Sequence, residues 1–193
     1  MMIGQPFGGV LPGARGAVLA ALLRSGDPLT GRQIHALVRS DFSLWSVQEA
    51  LKAWEQIGVV ESRPVGPANI YSVNGDHVAV PPLRALVDPL ASLTEVVAAS
   101  VGDQVDAVVL FGSIARGEAT ADSDVDLAVI APEGWDGRVD LQSAVRSRLG
   151  NDCDVLVLTP EEFADPGEPV NAEIARDGVA LMGQMPRRRR GVA

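Results

Sequence analysis

Residues 110–130, LFGSIARGEATADSDVDLAVI, decide the fold of the second half of the chain. They place Gly112-Ser113 at the end of one apolar run, and Asp124 and Asp126 at the start of the next. Side chains two positions apart on a strand share a face, so these two carboxylates would lie side by side. Such a pair stays ionised only when a cation lies between its members, and hard oxygen ligands suit Mg²⁺. The pattern predicts a magnesium site, with Mn²⁺ as the alternative ion.

The residues that follow the first apolar run have the chemistry of a phosphate site. Gly112 has no Cβ, so a ligand can approach the backbone, and a helix beginning here would offer free N–H groups. Ser113 adds a hydroxyl donor, and Arg116 lies one turn further on. A triphosphate cradle beside paired carboxylates suits nucleotidyl transfer, in which two metal ions clamp the attacking and leaving oxygens. We therefore predict that Gly112, Ser113 and Arg116 bind the phosphates of an NTP.

The same stretch resembles the signature of the DNA polymerase β-like nucleotidyltransferases, in their minimal nucleotidyltransferase branch. That signature is Gly-Ser, ten residues and Asp-x-Asp, and the likeness covers about residues 92–182. The matching residues are Gly112, Ser113, Ala115, Arg116, Gly117, Ser123, Asp124 and Asp126. The resemblance implies a mixed sheet with flanking helices. It also implies transfer of a nucleoside monophosphate from an NTP to an acceptor, with release of pyrophosphate.

The resemblance further implies a third carboxylate on a later strand, where Asp154 occupies the matching position in CDVLVL. Asp124, Asp126 and Asp154 would then be the catalytic residues and the ligands of two metal ions. Asp154 would also orient or deprotonate the acceptor hydroxyl. Asp152 is the alternative, because it has the same side chain and the same strand parity. Asp154 directly precedes the apolar run, which favours it.

The N-terminal part resembles a winged helix-turn-helix in the order of its elements, over residues 14 to about 75. Apolar spacing predicts helices at 14–24, 31–39 and 44–57, and a hairpin of strands 59–63 and 69–73. Residues 1–12 are expected to form a loose arm. If this part binds double-stranded DNA, the expected contact residues are Arg32, Arg39, Trp45, Ser46, Gln48, Lys52 and Arg63.

Charge divides the chain and weakens the DNA hypothesis. Residues 1–80 hold six basic and six acidic side chains, whereas residues 81–193 hold ten basic and nineteen acidic ones. A module of zero net charge is poorly suited to phosphate backbones, so a dimerisation or docking module is the alternative. We predict an α+β protein with a winged helix-turn-helix domain (1–80), a nucleotidyltransferase domain (81–185) and a basic disordered tail (186–193).

The composition predicts a cytoplasmic protein that does not enter a membrane. No apolar run approaches the roughly 20 residues that span a bilayer. The single cysteine, Cys153, excludes an intramolecular disulfide.

A homodimer would strengthen DNA binding, because two weak half-sites add.

Three functional hypotheses remain open at this point. The leading one is metal-dependent transfer of NMP from an NTP to an acceptor that the sequence does not identify. The second is a transcriptional regulator whose second domain senses a nucleotide without turnover. The third is an antitoxin-type nucleotidyltransferase that modifies a partner protein.

Overall fold

The computed structural model describes residues 1–120, 123–165 and 167–185. It divides into two compact units, one of Gln5–Pro89 and one that joins Met1–Gly4 to Leu90–Ala193. The predicted basic tail lies outside the described residues. The predicted domain division at residue 80 stays a prediction, because a compact unit is not necessarily a domain that folds alone.

The first unit contains helices and a small antiparallel sheet. Its helical elements are a 3₁₀ turn at Pro6–Gly9, α1 (Gly13–Ser25), α2 (Gly31–Val38), α3 (Leu44–Gln56) and α4 (Val80–Leu86). Its strands are β1 (Leu29–Thr30), β2 (Val60–Val65) and β3 (Ala68–Val73). They lie in the order β1–β3–β2, and both pairings are antiparallel. The unit has the predicted order of helices and hairpin, while its assignment as a winged helix stays a prediction.

Local signals explain where the helices of the first unit begin. Thr30 caps α2 in a capping box with Gln33, and the Ser43 hydroxyl accepts from the Ser46 N–H at the start of α3. The expected loose arm at 1–12 is wrong in this structure. Phe7 is buried in the core of the first unit, and Ile3 in that of the second. Burial of large apolar side chains outweighs the local preference of the surrounding glycines for loops.

The second unit is built on a mixed sheet. Its helices are α5 (Pro89–Ser100), α6 (Gly112–Ala115), α7 (Arg138–Leu149), α8 (Pro160–Ala164) and α9 (Pro169–Asp177). Its strands are β4 (Ala107–Phe111), β5 (Val125–Ile130), β6 (Cys153–Leu158) and β7 (Val179–Gly183). They lie in the order β6–β5–β4–β7. β5 and β6 are parallel, and the other pairings are antiparallel. The α+β class with a mixed sheet agrees with the prediction.

Alternate residues of β5 enter two different cores. Leu127 packs with α5 and α7 on one face of the sheet, and Ala128 packs with Phe163 and Ile174 on the other. Because both faces are covered, the strand is entirely apolar after Asp126. The polar residues at its start are therefore the ones left to make a site. No helix in the described ranges is long and apolar enough to cross a bilayer.

Candidate active site

Strand register brings the predicted carboxylates to one end of the sheet. Asp126 is paired with Asp154 across the parallel β5–β6 ladder, and Asp124 immediately precedes β5. In-register residues of neighbouring strands point to the same face. Asp124 and Asp154 are exposed, whereas Asp126 is half-buried. The three carboxylates that the sequence analysis singled out therefore lie close together.

The half-buried position of Asp126 changes its electrostatics. Burial is the largest cause that raises the pKa of Asp126 above its ordinary value, and the charges of Asp154, Asp124 and Glu173 raise it further. The guanidinium of Arg116 acts in the opposite direction. The ionised form of Asp126 is therefore disfavoured at this position. A bound cation would offset both the cost of burying the charge and the repulsion from the neighbouring carboxylates.

The structure distinguishes the two aspartates between which the sequence analysis left a choice. Asp152 precedes β6, and its carboxylate accepts a hydrogen bond from Arg146 on α7. Asp154 stands beside Asp126 and has no such partner among the described residues. The position beside Asp126 is the one that the third carboxylate requires, and the catalytic role of Asp154 stays a prediction.

Gly112 lies directly against the carboxylate of Asp126. Its φ is +70°, a left-handed conformation that glycine adopts readily and other residues rarely do. A Cβ built on Gly112 would also come within 3.0 Å of the Asp126 Cγ, closer than such atoms normally pack. Any side chain here would displace the carboxylate. The turn predicted to bind phosphate and the predicted metal ligand are therefore in contact.

The turn that follows Gly112 is shorter than predicted. The sequence predicts a helix at 113–118, but α6 has 4 residues. Arg116 forms its C-cap, and Gly117 then turns the chain with a φ of +74°. A single helical turn has little dipole, so an anion would bind to its free N–H groups and to the half-buried Ser113 hydroxyl. Among the described residues that hydroxyl has no hydrogen-bond partner.

Arg116 is held by two carboxylates. Its Nε donates to Glu118 Oε2 at 2.9 Å, and its Nη1 donates to Glu173 Oε1 at 2.5 Å. The hydrogen bond to Glu118 is the largest cause that raises the pKa of Arg116, so the group stays cationic. A guanidinium has five N–H groups, and three of them here have no bond to any described residue. Arg116 is thus oriented by protein and still able to bind an anion.

Glu173 on α9 is the site residue that the sequence analysis missed. It lies 57 positions from Arg116 in the chain, and no local pattern links the two. The one available signal was its position immediately before IARDGVALM (174–182), which resembles the family's closing segment. Only the packing of α9 against α6 brings Glu173 to Arg116.

The donors present fit Mg²⁺ bound together with a nucleotide. Within residues 1–120, 123–165 and 167–185, no group of three or more His, Cys, Asp or Glu side chains forms a ready-made metal cage. Mg²⁺ does not require one, because it usually binds through one or two carboxylates, waters and substrate phosphates. Asp124 and Asp126 would supply those carboxylate oxygens, beside the turn predicted to bind phosphate. The predicted number of two ions stays a prediction.

A cavity of about 520 Å³ opens beside Asp124 and Asp154. Its other lining residues come from β6, from the residue before it and from α7: Cys153, Asp152, Val139, Gln142, Ser143 and Arg146. Burial, followed by the nearby carboxylates, raises the pKa of Cys153 to about 12. A thiol with that pKa is protonated at neutral pH and is no nucleophile. Cys153 therefore only lines the cavity.

The residues predicted to contact DNA are mostly on the surface of the first unit. Six of them are exposed: Arg32, Arg39, Trp45, Gln48, Lys52 and Arg63. Ser46 is different, because its hydroxyl lies 3.0 Å from the Ser43 hydroxyl within the N-cap of α3. The Ser46 hydroxyl therefore belongs to the hydrogen bonding that begins α3. Their role in DNA binding stays a prediction.

Residues 95–185 match the model of a protein family described as "Polymerase beta, Nucleotidyltransferase". The match starts within α5 and includes both the Gly112–Asp126 contact and Asp154. The match agrees with the nucleotidyltransferase resemblance that the spacing of Gly-Ser and Asp-x-Asp carries. The matched segment makes up slightly less than half of the chain. No curated protein matches the sequence.

Several solved structures are similar to about half of the chain. A chain of a "toxin-antitoxin with AMP-PNP" is 23% identical, with a TM-score of 0.39, and the match covers 49% of this chain and 73% of that one. A second belongs to the tri-AMPylated Shewanella oneidensis HEPN toxin in complex with MNT antitoxin. It is 21% identical, with a TM-score of 0.35 and the same coverage of 49% and 73%. At TM-scores below 0.5 the likeness supports no statement about what this chain does.

Proposed function

We propose that the second unit transfers a nucleoside monophosphate from an NTP to a hydroxyl group of an acceptor. The observation that supports this most directly is the contact between Gly112 and the Asp126 carboxylate. It joins a turn with free N–H groups to a pair of carboxylates suited to Mg²⁺. A phosphate chain bound at the turn would lie next to the cation-binding oxygens, as phosphoryl-group chemistry requires.

Each residue of the proposed site has a distinct task. Gly112 and Ser113 hold the β- and γ-phosphates, and Arg116 offers its remaining N–H groups to the same anion. Asp124 and Asp126 would hold two Mg²⁺ ions, and Asp154 would help to bind one of them. Mn²⁺ would substitute for Mg²⁺. The bound cation supplies positive charge that stabilises the phosphates. Asp154 accepts the proton of the acceptor hydroxyl, the new O–Pα bond forms, and the Pα–O bond to the β-phosphate breaks to release pyrophosphate.

The test uses the purified full chain, Mg²⁺ and each labelled NTP in turn, in a lysate of its own host. The Asp126→Asn variant removes one charge from the pair, and Asp136→Asn removes a charge from an exposed loop residue as the matched control. We expect label on an acceptor with the wild type and with Asp136→Asn, and none with Asp126→Asn. Binding of an NTP without turnover would instead support a regulator that senses nucleotides.

The fate of the label decides between classes of acceptor. Label on a protein would support the antitoxin-type hypothesis, in which a partner protein is modified. Label on an acid-soluble compound would support a small-molecule acceptor. Neither outcome changes the roles proposed for Asp124, Asp126 and Asp154.

We further propose that the first unit is a winged helix that uses α3 to bind double-stranded DNA or a partner protein. The supporting observation is the exposed face of α3, where Trp45 and Lys52 border a groove of about 380 Å³ with Glu49. Binding of a labelled duplex as salt is raised tests this proposal. Lys52→Ala should reduce the magnitude of the salt slope by about 1 if Lys52 contacts a phosphate. No duplex binding at low salt would leave docking or homodimer formation as the role of this face.

A further inference from the structure

The order of the strands gives the proposed site two sides. The phosphate-binding turn with Gly112 follows β4, Asp126 lies on β5, and Asp154 lies on β6. Because β5 is between β4 and β6, Gly112 and Asp154 are on opposite sides of Asp126. The cavity of about 520 Å³ is on the Asp154 side, and none of its described lining residues belongs to β4 or α6.

The chemistry of the transfer assigns a direction to each reactant. In an in-line displacement the attacking oxygen and the leaving oxygen lie on opposite sides of the phosphorus. If pyrophosphate leaves toward Gly112, the acceptor hydroxyl has to arrive from the side of Asp154. The cavity is open on that side, and its volume is within the range of ordinary small-ligand pockets.

Charge limits which acceptors are attracted to this cavity. Its described lining includes three acidic residues, Asp124, Asp152 and Asp154, and one basic residue, Arg146, which is paired with Asp152. The surrounding segment 95–185 contains five basic and eighteen acidic residues, a net charge of −13. Such a surface repels polyanions and attracts neutral or cationic molecules. The end of an RNA or DNA strand is therefore a poor acceptor here.

We infer that this cavity is the acceptor subsite, and that the acceptor is a neutral or basic molecule with a free hydroxyl group. The inference rests on the proposed function. In the transfer, the acceptor oxygen bonds to Pα, its proton passes to Asp154, and pyrophosphate leaves toward Gly112. Gln142, Ser143 and Arg146 on α7 form the wall that contacts the rest of the acceptor.

The test fills the cavity without changing the carboxylates. Ser143 is exposed on α7 and lines the cavity, so Ser143→Trp obstructs it at little cost to the core. Ser147 is exposed one turn further along α7 and does not line the cavity, which makes Ser147→Trp the matched control. For each protein, three quantities are measured: affinity for Mg²⁺ and labelled NTP, label transferred in host lysate, and hydrolysis of the NTP with water as acceptor.

We expect Ser143→Trp to reduce transfer to the lysate acceptor by about tenfold or more, because the obstructed acceptor loses binding in the transition state. Its affinity for Mg²⁺ and NTP should stay within about twofold of the wild type, since the nucleotide lies on the other side. Water still fits, so hydrolysis should persist. Ser147→Trp should behave like the wild type. The label should be found on a small molecule or a protein, and fractionation separates these two sources.

Three results would overturn the inference. Loss of NTP affinity in Ser143→Trp would mean that the cavity holds the nucleotide. Unchanged transfer in Ser143→Trp would mean that the acceptor arrives elsewhere. Label on nucleic acid would contradict the charge argument. If the wild type binds an NTP but neither transfers nor hydrolyses it, the proposed function itself fails, and the acceptor subsite is rejected with it.

Discussion

At the scale of single residues, the contact between Gly112 and Asp126 links the turn proposed to bind phosphate to the carboxylate pair. Glycine is required there for two separate reasons, its left-handed φ and the absence of space for a Cβ. A variant that has only the first problem is available elsewhere in the chain, so the two effects can be measured apart.

Gly112→Ala should lose most of the transferase activity, because the new methyl group displaces the Asp126 carboxylate. Gly134 also has a positive φ, but a Cβ there would meet no atom within 4 Å. Both variants should lose about 1–2 kcal/mol of unfolding free energy from the left-handed backbone. Chemical denaturation and turnover measurements test this, and equal activity in the two variants would contradict the account.

Arg116→Ala should weaken binding of Mg²⁺ and NTP by about tenfold, in line with the loss of a charge-assisted hydrogen bond of about 1.5 kcal/mol. Arg176 provides the control, since this exposed arginine on α9 pairs with its neighbour Asp177. Arg176→Ala should leave the nucleotide affinity unchanged. Titration with a fluorescent NTP distinguishes the two, and similar affinities for both variants would exclude a phosphate role for Arg116.

Residue-level prediction from sequence could group the candidate residues that lie in one short window, while their roles stay predictions. Asp124 and Asp126 were identifiable because a strand puts alternate side chains on one face. Glu173 was not, because its contact with Arg116 depends on how α9 packs against α6. A hydrogen bond between residues so far apart in the chain leaves no local pattern.

At the scale of elements, the α8–α9 connection supports the helix that bears Glu173. Asn171 on α9 is fully buried, and its Nδ2 donates to the backbone oxygen of Glu162 on α8 at 2.7 Å. Thr159 caps α8 in a capping box with Glu162. The buried amide therefore ties the two helices together on the side of the sheet occupied by Phe163 and Ile174.

Asn171→Ala should destabilise the protein by about 1–3 kcal/mol, because it removes a fully buried side chain together with its hydrogen bond to Glu162. Asn69, exposed on β3, is the control, and Asn69→Ala should change the stability by less than about 0.5 kcal/mol. Urea denaturation of both variants makes the comparison. An unchanged free energy of unfolding in Asn171→Ala would show that this hydrogen bond does not contribute to stability.

Elements with a clear apolar pattern were predictable, and elements without one were not. The sequence pattern predicts a helix near 169–177, and the helix lies at Pro169–Asp177. The apolar runs predict strands at 105–111, 124–131 and 153–159, which agree with β4, β5 and β6 to within two residues at each end. β1, with 2 residues, and α8, with 5, were not predicted, because neither is long enough for an apolar pattern to repeat several times. The hairpin strands continue further toward Gly66 than predicted, because backbone pairing extends beyond the apolar residues.

At the scale of the whole molecule, charge is the property that the sequence reveals most directly. Residues 95–185 are strongly acidic, while residues 1–80 have no net charge. A polyanionic NTP is therefore repelled by this segment unless a divalent cation accompanies it. This difference in charge indicated that the chain has two parts. The bounds of the two compact units depend on packing, which the charge distribution does not predict.

Mg²⁺ and an NTP together should stabilise the protein, whereas the NTP with EDTA should not. At a hundredfold excess over Kd, one bound ligand adds about 2.7 kcal/mol to the unfolding free energy. Thermal unfolding of the wild type and of Asp124→Ala/Asp126→Ala measures this effect, and the double variant should show no shift. Equal stabilisation with EDTA would mean that nucleotide binding is independent of the carboxylates.

The measurement that tests the central claim most directly is pyrophosphate release coupled to label transfer by the full chain. The account predicts one pyrophosphate per NMP transferred, an absolute requirement for Mg²⁺ or Mn²⁺, and loss of both signals in Asp126→Asn but not in Asp136→Asn. Pyrophosphate release that persists in Asp126→Asn, or nucleotide binding by the wild type with no pyrophosphate released, would contradict it.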